Sequence, residues 1–284
     1  MNQKLLSLYG LKWNPFSPEL PVEGVHVTPR MESFCWRVEQ HHVREGGFAL
    51  ITGEPGTGKS VVLRVLADRL GKLREVTVGA LAHPQSNLAD FYREMGDVFG
   101  VPLRPHNRWG GFKALRERWL AHLDSTLLRP VLLVDEAQEM SPAVLSELRV
   151  LSSTQFDSRS ILSVVLAGDG RLQHALKRED LLALGSRIRP RLVMDYASRD
   201  ELTTCLRHLL KTAGNPKLMT AELMATLCEH AMGNYRALAG MGAELLAAAT
   251  ERELAQLDEK LYFELFAQTP PKPARAGQTA GARR

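Results

Sequence analysis

The sequence predicts an α/β fold, a parallel sheet covered by helices on both faces, followed by a smaller all-helical unit. Three observations predict it. Short runs of strand length, Phe48–Thr52, Glu75–Val78, Val131–Val134, Ile161–Ala167 and Arg191–Met194, alternate with stretches of helical periodicity. Most are continuously apolar, as strands buried on both faces are. After Asp195 the strands stop and only helical periodicity continues. Between the first strand and the first long helix lies a glycine-rich turn, Gly53 to Gly58.

In chain order, residues 1–46 form an N-terminal segment expected to pack on the site described below. It begins irregularly, because Pro15, Pro18 and Pro21 forbid a continuous helix. A helix then runs from about Pro29 to Val43, with Thr28 as N-cap and proline at the first helical position. Residues 47–196 hold the five strands and a helix from Lys59 to Leu70. Residues 197–268 hold four helices, Glu201–Lys211, Ala221–Ala231, Tyr235–Glu251 and Asp258–Ala267. Ser198 and Glu201 have the spacing of a capping box, and Thr220 is a second N-cap. Residues 269–284, rich in Pro, Gly and Ala, are expected to be disordered.

The 284 residues are 44% hydrophobic and 24% charged, which excludes wholesale disorder. No window approaches the roughly 20 apolar residues that span a bilayer, and the N-terminus lacks the apolar run of a secretory signal. Cys35, Cys205 and Cys228 have neither disulfide-framework nor zinc-site spacing. His41, His42 and His122 form no ligand pattern. A reduced, cytoplasmic protein is expected. The formal net charge of +4 resides in the last sixteen residues, through Lys272, Arg275, Arg283 and Arg284, so the remaining body is neutral. Polyanion affinity must therefore come from a local patch or from the tail.

Gly53-Glu54-Pro55-Gly56-Thr57-Gly58-Lys59-Ser60 fits G-x-x-x-x-G-K-[ST], after a strand and opening a helix that continues with Val61. Glycines let the backbone wrap a phosphate chain with its N–H groups inward. Lys59 would reach the β- and γ-phosphates, and the Ser60 hydroxyl would ligate Mg²⁺. The helix adds its positive dipole end. Val131–Val134 ends in Asp135 and Glu136. Asp135 would hold Mg²⁺ through its water shell, and Glu136 would orient and deprotonate an attacking water. The pattern thus points to a nucleotide bound with Mg²⁺ and to its hydrolysis. Two arginines extend the set. Arg187, or Arg189 in its stead, precedes the last strand and could stabilise a neighbour's γ-phosphate in the transition state; a solvated basic turn is the alternative. Arg236 follows Gly233-Asn234-Tyr235 and could couple the helical unit to the phosphates, or be an exposed surface arginine.

These motifs together resemble an AAA+ ATPase. Within it the chain is similar to the ExeA-type branch, which includes the general-secretion ATPase ExeA and the transposon helper proteins TniB, TnsC and MuB. The residues that carry the resemblance are Asn14-Pro15-Phe16, the run Phe48–Ser60, Asp135-Glu136-Ala137-Gln138, Leu166-Ala167-Gly168, Ser186-Arg187 and Gly233-Asn234-Tyr235-Arg236. It spans about residues 8–267. It implies a P-loop NTPase sheet in the order 5-1-4-3-2, ATP as the nucleotide, held between subunits beneath a helical lid, and Phe16 near the adenine. The chain departs from the family at the end of the fourth strand. A polar, often amide, side chain is usual there, whereas Ala167-Gly168-Asp169-Gly170 offers a carboxylate that a γ-phosphate would repel. Asp169 therefore faces away, pairs with an arginine, or contacts the water.

ExeA carries a membrane segment and a cell-wall-binding region after the ATPase domain. Neither follows the lid here, which favours the transposition side of the family: oligomers (a hexameric ring or a helical filament) on duplex DNA, a transposase as partner, and no membrane. The segment Arg104–Trp119 is basic and interleaved with aromatics, so Arg104, Arg108, Lys113 and Arg116 could neutralise DNA phosphates. The competing reading is an amphipathic helix with Phe112, Leu115 and Trp119 in the core. Met219, Met224, Met232 and Met241 are expected to pack within the helical core. Two further readings stay open, a secretion or envelope-assembly ATPase and a nucleotide-gated scaffold that scarcely hydrolyses ATP.

Overall fold

The computed structural model describes residues 2–103 and 107–266; Arg104 and the tail from Thr269 lie outside them. At its centre is a parallel sheet of β1 (Gly47–Gly53), β2 (Val78–Leu81), β3 (Val131–Val134), β4 (Ser163–Gly168) and β5 (Ile188–Met194). The spatial order is β5-β1-β4-β3-β2, the order implied by the resemblance. Successive side chains of β1 go to opposite faces. Phe48 and Leu50 join one core with Phe91, Met95 and Trp119, while Ala49 and Ile51 join the other with Phe34, Leu66 and Leu70. Burial on both faces is why these strands read as apolar runs.

The first core is covered by α4 (Leu88–Phe99), α5 (Arg108–Thr126) and α6 (Pro142–Leu151). The second lies under α2 (Pro29–Arg37) and α3 (Lys59–Gly71). The Thr28 hydroxyl accepts from the Met31 amide at 3.4 Å, as the N-cap reading expects. The helical path then widens by one residue per turn over Val38–His42 and ends at Glu45.

A third core belongs to four helices, α7 (Arg199–Ala213), α8 (Ala221–His230), α9 (Tyr235–Glu251) and α10 (Glu259–Phe266). The Ser198–Glu201 capping box is formed in both directions, and Thr220 caps α8. Met219 is buried, with Met224 and Met241 packed at the edge of this core. Met232 departs from the core assignment. It is 83% exposed and sits at φ +48°, in the turn that ends α8 and precedes Gly233.

Several boundaries shifted for physical reasons. Strand β2 lies three residues beyond its expected position. Gly79 and Ala80 are poor strand formers, but a Cβ on Gly79 would meet a Val98 methyl at 2.1 Å, so close packing of α4 explains the glycine. Strand β4 begins at Ser163 because the Ile161 amide is bonded to the Ser152 carbonyl at 2.8 Å, in the exit of a short ribbon. That ribbon pairs Ser153–Thr154 with Arg159–Ser160 and was not legible in sequence. Strand β5 extends back through Pro190, where pairing with β1 is irregular between Phe48 and Leu50. A bulge on an edge strand tolerates the missing N–H. The N-terminus is also more regular than expected. Asn2–Tyr9 forms α1, whose Leu5 and Tyr9 enter the lid core together with Leu11 and Phe16.

Phe16 depends on one glycine. A Cβ on Gly242 of α9 would approach the Phe16 ring to 2.6 Å. Replacing Gly242 with Leu supplies a better helix former, worth roughly 0.8 kcal/mol. Displacing the ring costs about 1–3 kcal/mol, so the urea midpoint of Gly242→Leu should fall; an unchanged or higher midpoint would contradict this packing.

Candidate active site

The register of the sheet brings three loops to one edge. Thr52 pairs with Gly168 and Val134 with Leu166, so the chain leaves β1, β3 and β4 side by side. Ligand crevices of open parallel sheets form at this carboxyl edge. The glycine-rich loop runs from β1 into α3. Gly56 and Gly58 stand at φ +83° and +103°, a conformation that side chains disfavour. A Cβ on Gly53 would lie 2.2 Å from the Met194 carbonyl oxygen. The Lys59 ammonium, nearly buried, donates to the carbonyls of Gly53 (2.9 Å) and Glu54 (3.1 Å). Thr57 donates to the Glu54 carbonyl at 2.8 Å, which fixes the loop's inner turn.

Next to it, Asp135 accepts the Glu136 amide at 2.9 Å, and Glu136 adopts φ +48°. The Glu136 carboxylate accepts a hydrogen bond from Gln138 Nε2, and Gln138 Oε1 accepts the Asp169 amide at 3.2 Å. Of the three roles open to Asp169, the structure places it against an arginine. Its carboxylate caps the helix Gly170–Ala175 and pairs with Arg171 at 2.9 Å. Arg171 also reaches Glu139 at 2.8 Å.

A cavity of about 630 Å³ opens beside these loops. Gly56, Thr57, Gly58, Lys59, Ser60 and Val61 line it from below, with Glu136 to one side, Phe16 and Pro15 at the apolar end, and Arg236 from the lid. Glu54 and Pro55 form the exposed crest of the loop. The lid rests on that crest. Asn234 donates to the Pro55 carbonyl at 3.1 Å while its oxygen caps α9, and the Arg236 amide reaches the Gly56 carbonyl at 3.3 Å. A Cβ on Gly56 would fall 2.2 Å from Asn234 Oδ1. The single-residue reading missed Asn234, Gln138 and the walls His26, Cys205, Leu209 and Tyr235. Asn234 and Tyr235 belong to the run Gly233–Arg236 and Gln138 to the run Asp135–Gln138; His26, Cys205 and Leu209 carry no spacing that sets them apart from core residues.

The residues fit a nucleotide with Mg²⁺. The loop is a cradle whose glycines leave room for phosphates, with the exposed Ser60 hydroxyl at its floor. Asp135 has no cation partner among the described residues. Likewise among the described residues, no group of three or more His, Cys, Asp or Glu stands ready as a metal site.

Neither Arg187 nor Arg189 lines this cavity among the described residues. Arg187 pairs with Asp157 at 2.6 Å and donates to the Ala183 carbonyl. Asp157 titrates below its ordinary range, through the Ser153 hydroxyl and, against its burial, the Arg187 and Arg149 charges. Arg189 pairs with Glu45 at 3.2 Å, on the surface.

The basic segment is the amphipathic helix of the competing reading. Leu115 and Trp119 are buried, Phe112 packs against the same core, and Trp109 stacks on Phe112 with ring centroids 5.6 Å apart. Two of its candidate phosphate ligands are turned to the protein. Arg108 binds Glu147 (Nε at 3.1 Å), which also accepts from the Tyr92 hydroxyl. Arg116 donates to the Val150 carbonyl at 3.0 Å and to those of Leu151 and Ser153, closing the end of α6. A phosphate would have to displace these partners. Lys113 is exposed and meets Glu117 at 3.8 Å.

A family model described as an AAA domain matches residues 41–176. General secretion pathway protein A of Aeromonas hydrophila is 32% identical over 223 residues, which are 77% of this chain and 40% of that protein. The chain thus spans well under half of that relative. Among solved structures, Cdc6p of Pyrobaculum aerophilum superposes with a TM-score of 0.68 at 17% identity, over 86% of this chain and 67% of that one. The Aeropyrum pernix ORC1 protein in complex with DNA gives 0.66 at 17% identity, over 89% and 68%. Domain III of the Thermotoga maritima replication initiation protein DnaA gives 0.61 at 17% identity, over 89% and 98%. At these identities the likeness is one of fold.

The Glu147 cluster yields a stability test. Burial works to raise the Glu147 carboxyl, but the hydrogen bonds from Arg108 and Tyr92 win and hold it below its ordinary 4.5. A depressed carboxyl stabilises above its unfolded value and loses that contribution as pH falls through the folded one. Arg108→Ala should cost about 1.5–3 kcal/mol in urea melts at pH 7, and the penalty should shrink as pH drops below 4. An equal penalty at both pH values would mean the pair is only a packing contact.

Proposed function

We propose that the chain is an AAA-type P-loop ATPase that hydrolyses ATP at a seam between copies of itself and uses the step to control their assembly on duplex DNA, a reading that starts from the matched AAA domain model. The carrying observation is the contact between lid and phosphate loop, Arg236 amide to Gly56 carbonyl and Asn234 to Pro55, at the mouth of the cavity. A change in the loop is felt at once by the lid, and the lid is the part free to grip or release a neighbour.

The work divides among named groups. The loop amides and Lys59 hold the phosphates, and Lys59 has only to exchange two carbonyl partners for phosphate oxygens. Gly53, Gly56 and Gly58 give the backbone the close turns this needs. Ser60 and Asp135 would hold Mg²⁺, which when bound neutralises charge on the phosphate oxygens. Glu136 accepts the proton of the attacking water. Phe16, at the apolar end, receives the base, and Arg236 answers the phosphates from the lid. Arg187 of one copy supplies the charge that a neighbour's transition state requires, once it exchanges Asp157 for phosphate oxygens.

The polymer in this reading is duplex DNA, bound by a ring or filament that serves a transposase. Support comes from the DNA complex among the fold neighbours and from the exposed Lys113; Arg108 and Arg116 would join only by releasing their present partners. A second reading, a secretion or envelope-assembly ATPase, is favoured by the 32% identity to General secretion pathway protein A. Turnover measured with and without duplex DNA across a salt series separates them. Stimulation that falls steeply with salt supports the DNA reading, and turnover indifferent to DNA supports the second.

Three substitutions test the machinery. Lys59→Ala should abolish nucleotide binding, and Glu136→Gln should bind ATP yet accumulate assembled, non-hydrolysing complexes. Arg187→Ala should keep its nucleotide affinity while kcat falls about a thousandfold or more. Mixing the Lys59→Ala and Arg187→Ala chains should restore turnover, because each supplies what the other lacks. Failure of the mixture, or full turnover by Arg187→Ala alone, would remove the arginine from the neighbour's site.

A further inference from the structure

The end of β4 lacks the amide that the resemblance leads one to expect, and the structure shows an amide arriving there from another element. Gln138, two residues beyond Glu136, turns its side chain to the tip of β4. Its Oε1 accepts the Asp169 amide at 3.2 Å, and its Nε2 donates to the Glu136 carboxylate. The orientation of the amide is forced. With oxygen and nitrogen exchanged, an N–H would face the Asp169 N–H and an oxygen would face the carboxylate. Room for the group comes from Gly168, where a Cβ would stand 2.6 Å from Gln138 Oε1. Asp169 is taken up by the helix cap and by Arg171, which turns its charge from the cavity.

We propose that Gln138 is the positioning residue of the catalytic glutamate: its amide ties the Glu136 carboxylate to the tip of β4, and so does the task of the missing β4 amide from the neighbouring loop. Glu136 is exposed, lines the cavity and sits at φ +48°. An exposed carboxylate on a free stem samples several rotamers, and one hydrogen bond to an anchored amide selects among them. The anchor lies on the sheet itself, since Gly168 pairs with Thr52 immediately before the phosphate loop. The base and the loop therefore share one rigid reference. This inference rests on the ATPase reading above, with Glu136 as the base.

Two variants of nearly the same length separate positioning from structure. Gln138→Met removes both hydrogen bonds. Gln138→Glu retains an acceptor for the Asp169 amide but has no donor for Glu136, and sets a second carboxylate against the first. If Gln138 positions Glu136, both variants lose kcat by about ten- to hundredfold, while the dissociation constant for a fluorescent ATP analogue and the melting temperature stay near wild type. If Gln138 serves only to anchor β4, Gln138→Glu keeps wild-type kcat, and that result overturns the inference. So does a loss of nucleotide affinity without loss of kcat in Gln138→Met. Glu136→Gln runs alongside. Should it retain turnover, the base assignment falls and this inference with it; should it lose turnover while both Gln138 variants keep theirs, this inference alone is wrong.

Discussion

The constraint on which the site depends is the absence of a side chain at Gly56. The loop lines the cavity on its inner side, and its outer side meets the helical unit at Asn234 and Arg236. A single methyl group at Gly56 would occupy the space of Asn234 Oδ1, 2.2 Å away. Asn234 is the N-cap of α9, so displacing it would loosen the helix that also holds Phe16 and Arg236. The usual account of glycine in such a loop is backbone freedom, and φ +83° confirms that need here. Its second use is to let two domains touch backbone to backbone. That is a stiffer connection than a pair of long side chains, because few rotatable bonds lie between the loop and the helical unit.

The N-terminal segment makes the coupling two-sided. Leu5, Tyr9, Leu11 and Phe16 belong to the lid core, whereas Met31, Phe34 and Val38 belong to the core beneath the sheet. The stretch between them, with its prolines, crosses the apolar end of the cavity. A lid that moves must carry the first part and strain the second. The Arg64 bond to the Pro18 carbonyl, at 2.8 Å, ties this crossing to α3, the helix that begins at Lys59. Cavity, lid and helix are thus linked by backbone or short polar contacts at three points.

The fold was legible where burial and spacing coincide. Strands β1 and β3 are apolar on both faces and stand out at once, and the caps Thr28, Ser198 and Thr220 have one favoured reading each. The phosphate loop was legible because its chemistry is written in consecutive residues. The illegible parts have local sequence at odds with their tertiary setting. Gly79 and Pro190 argue against strands that packing and an edge bulge permit, and nothing in Asn2–Tyr9 says that its apolar residues belong to helices two hundred positions away. The basic segment was ambiguous for a similar reason. Its charge could be offered to a partner or serve the fold, and Arg108 and Arg116 are bonded to Glu147 and to the open carbonyls of α6. Sequence records which groups are charged, and only the fold says which of them are already satisfied.

That distinction bears on Arg187. In the role proposed for it, an arginine waiting in solvent would bear an entropy cost on ordering, and one held too tightly would be slow to release. The bond to Asp157 lies between these limits. Both side chains are about one-third exposed, so water screens the pair and its net worth is about 1 kcal/mol or less. A triphosphate carries more negative charge than one carboxylate, and away from bulk water its attraction for a guanidinium is screened less. Asp157 sits in a turn where Gln155, Phe156 and Asp157 all have positive φ, a conformation that non-glycine residues hold only when their surroundings impose it. Ser153 and Arg149 keep Asp157 in place, so exchange at Arg187 need not collapse the turn. The weak pair holds the arginine in a defined position, close in free energy to departure, which is the condition that the proposed exchange of partners would require.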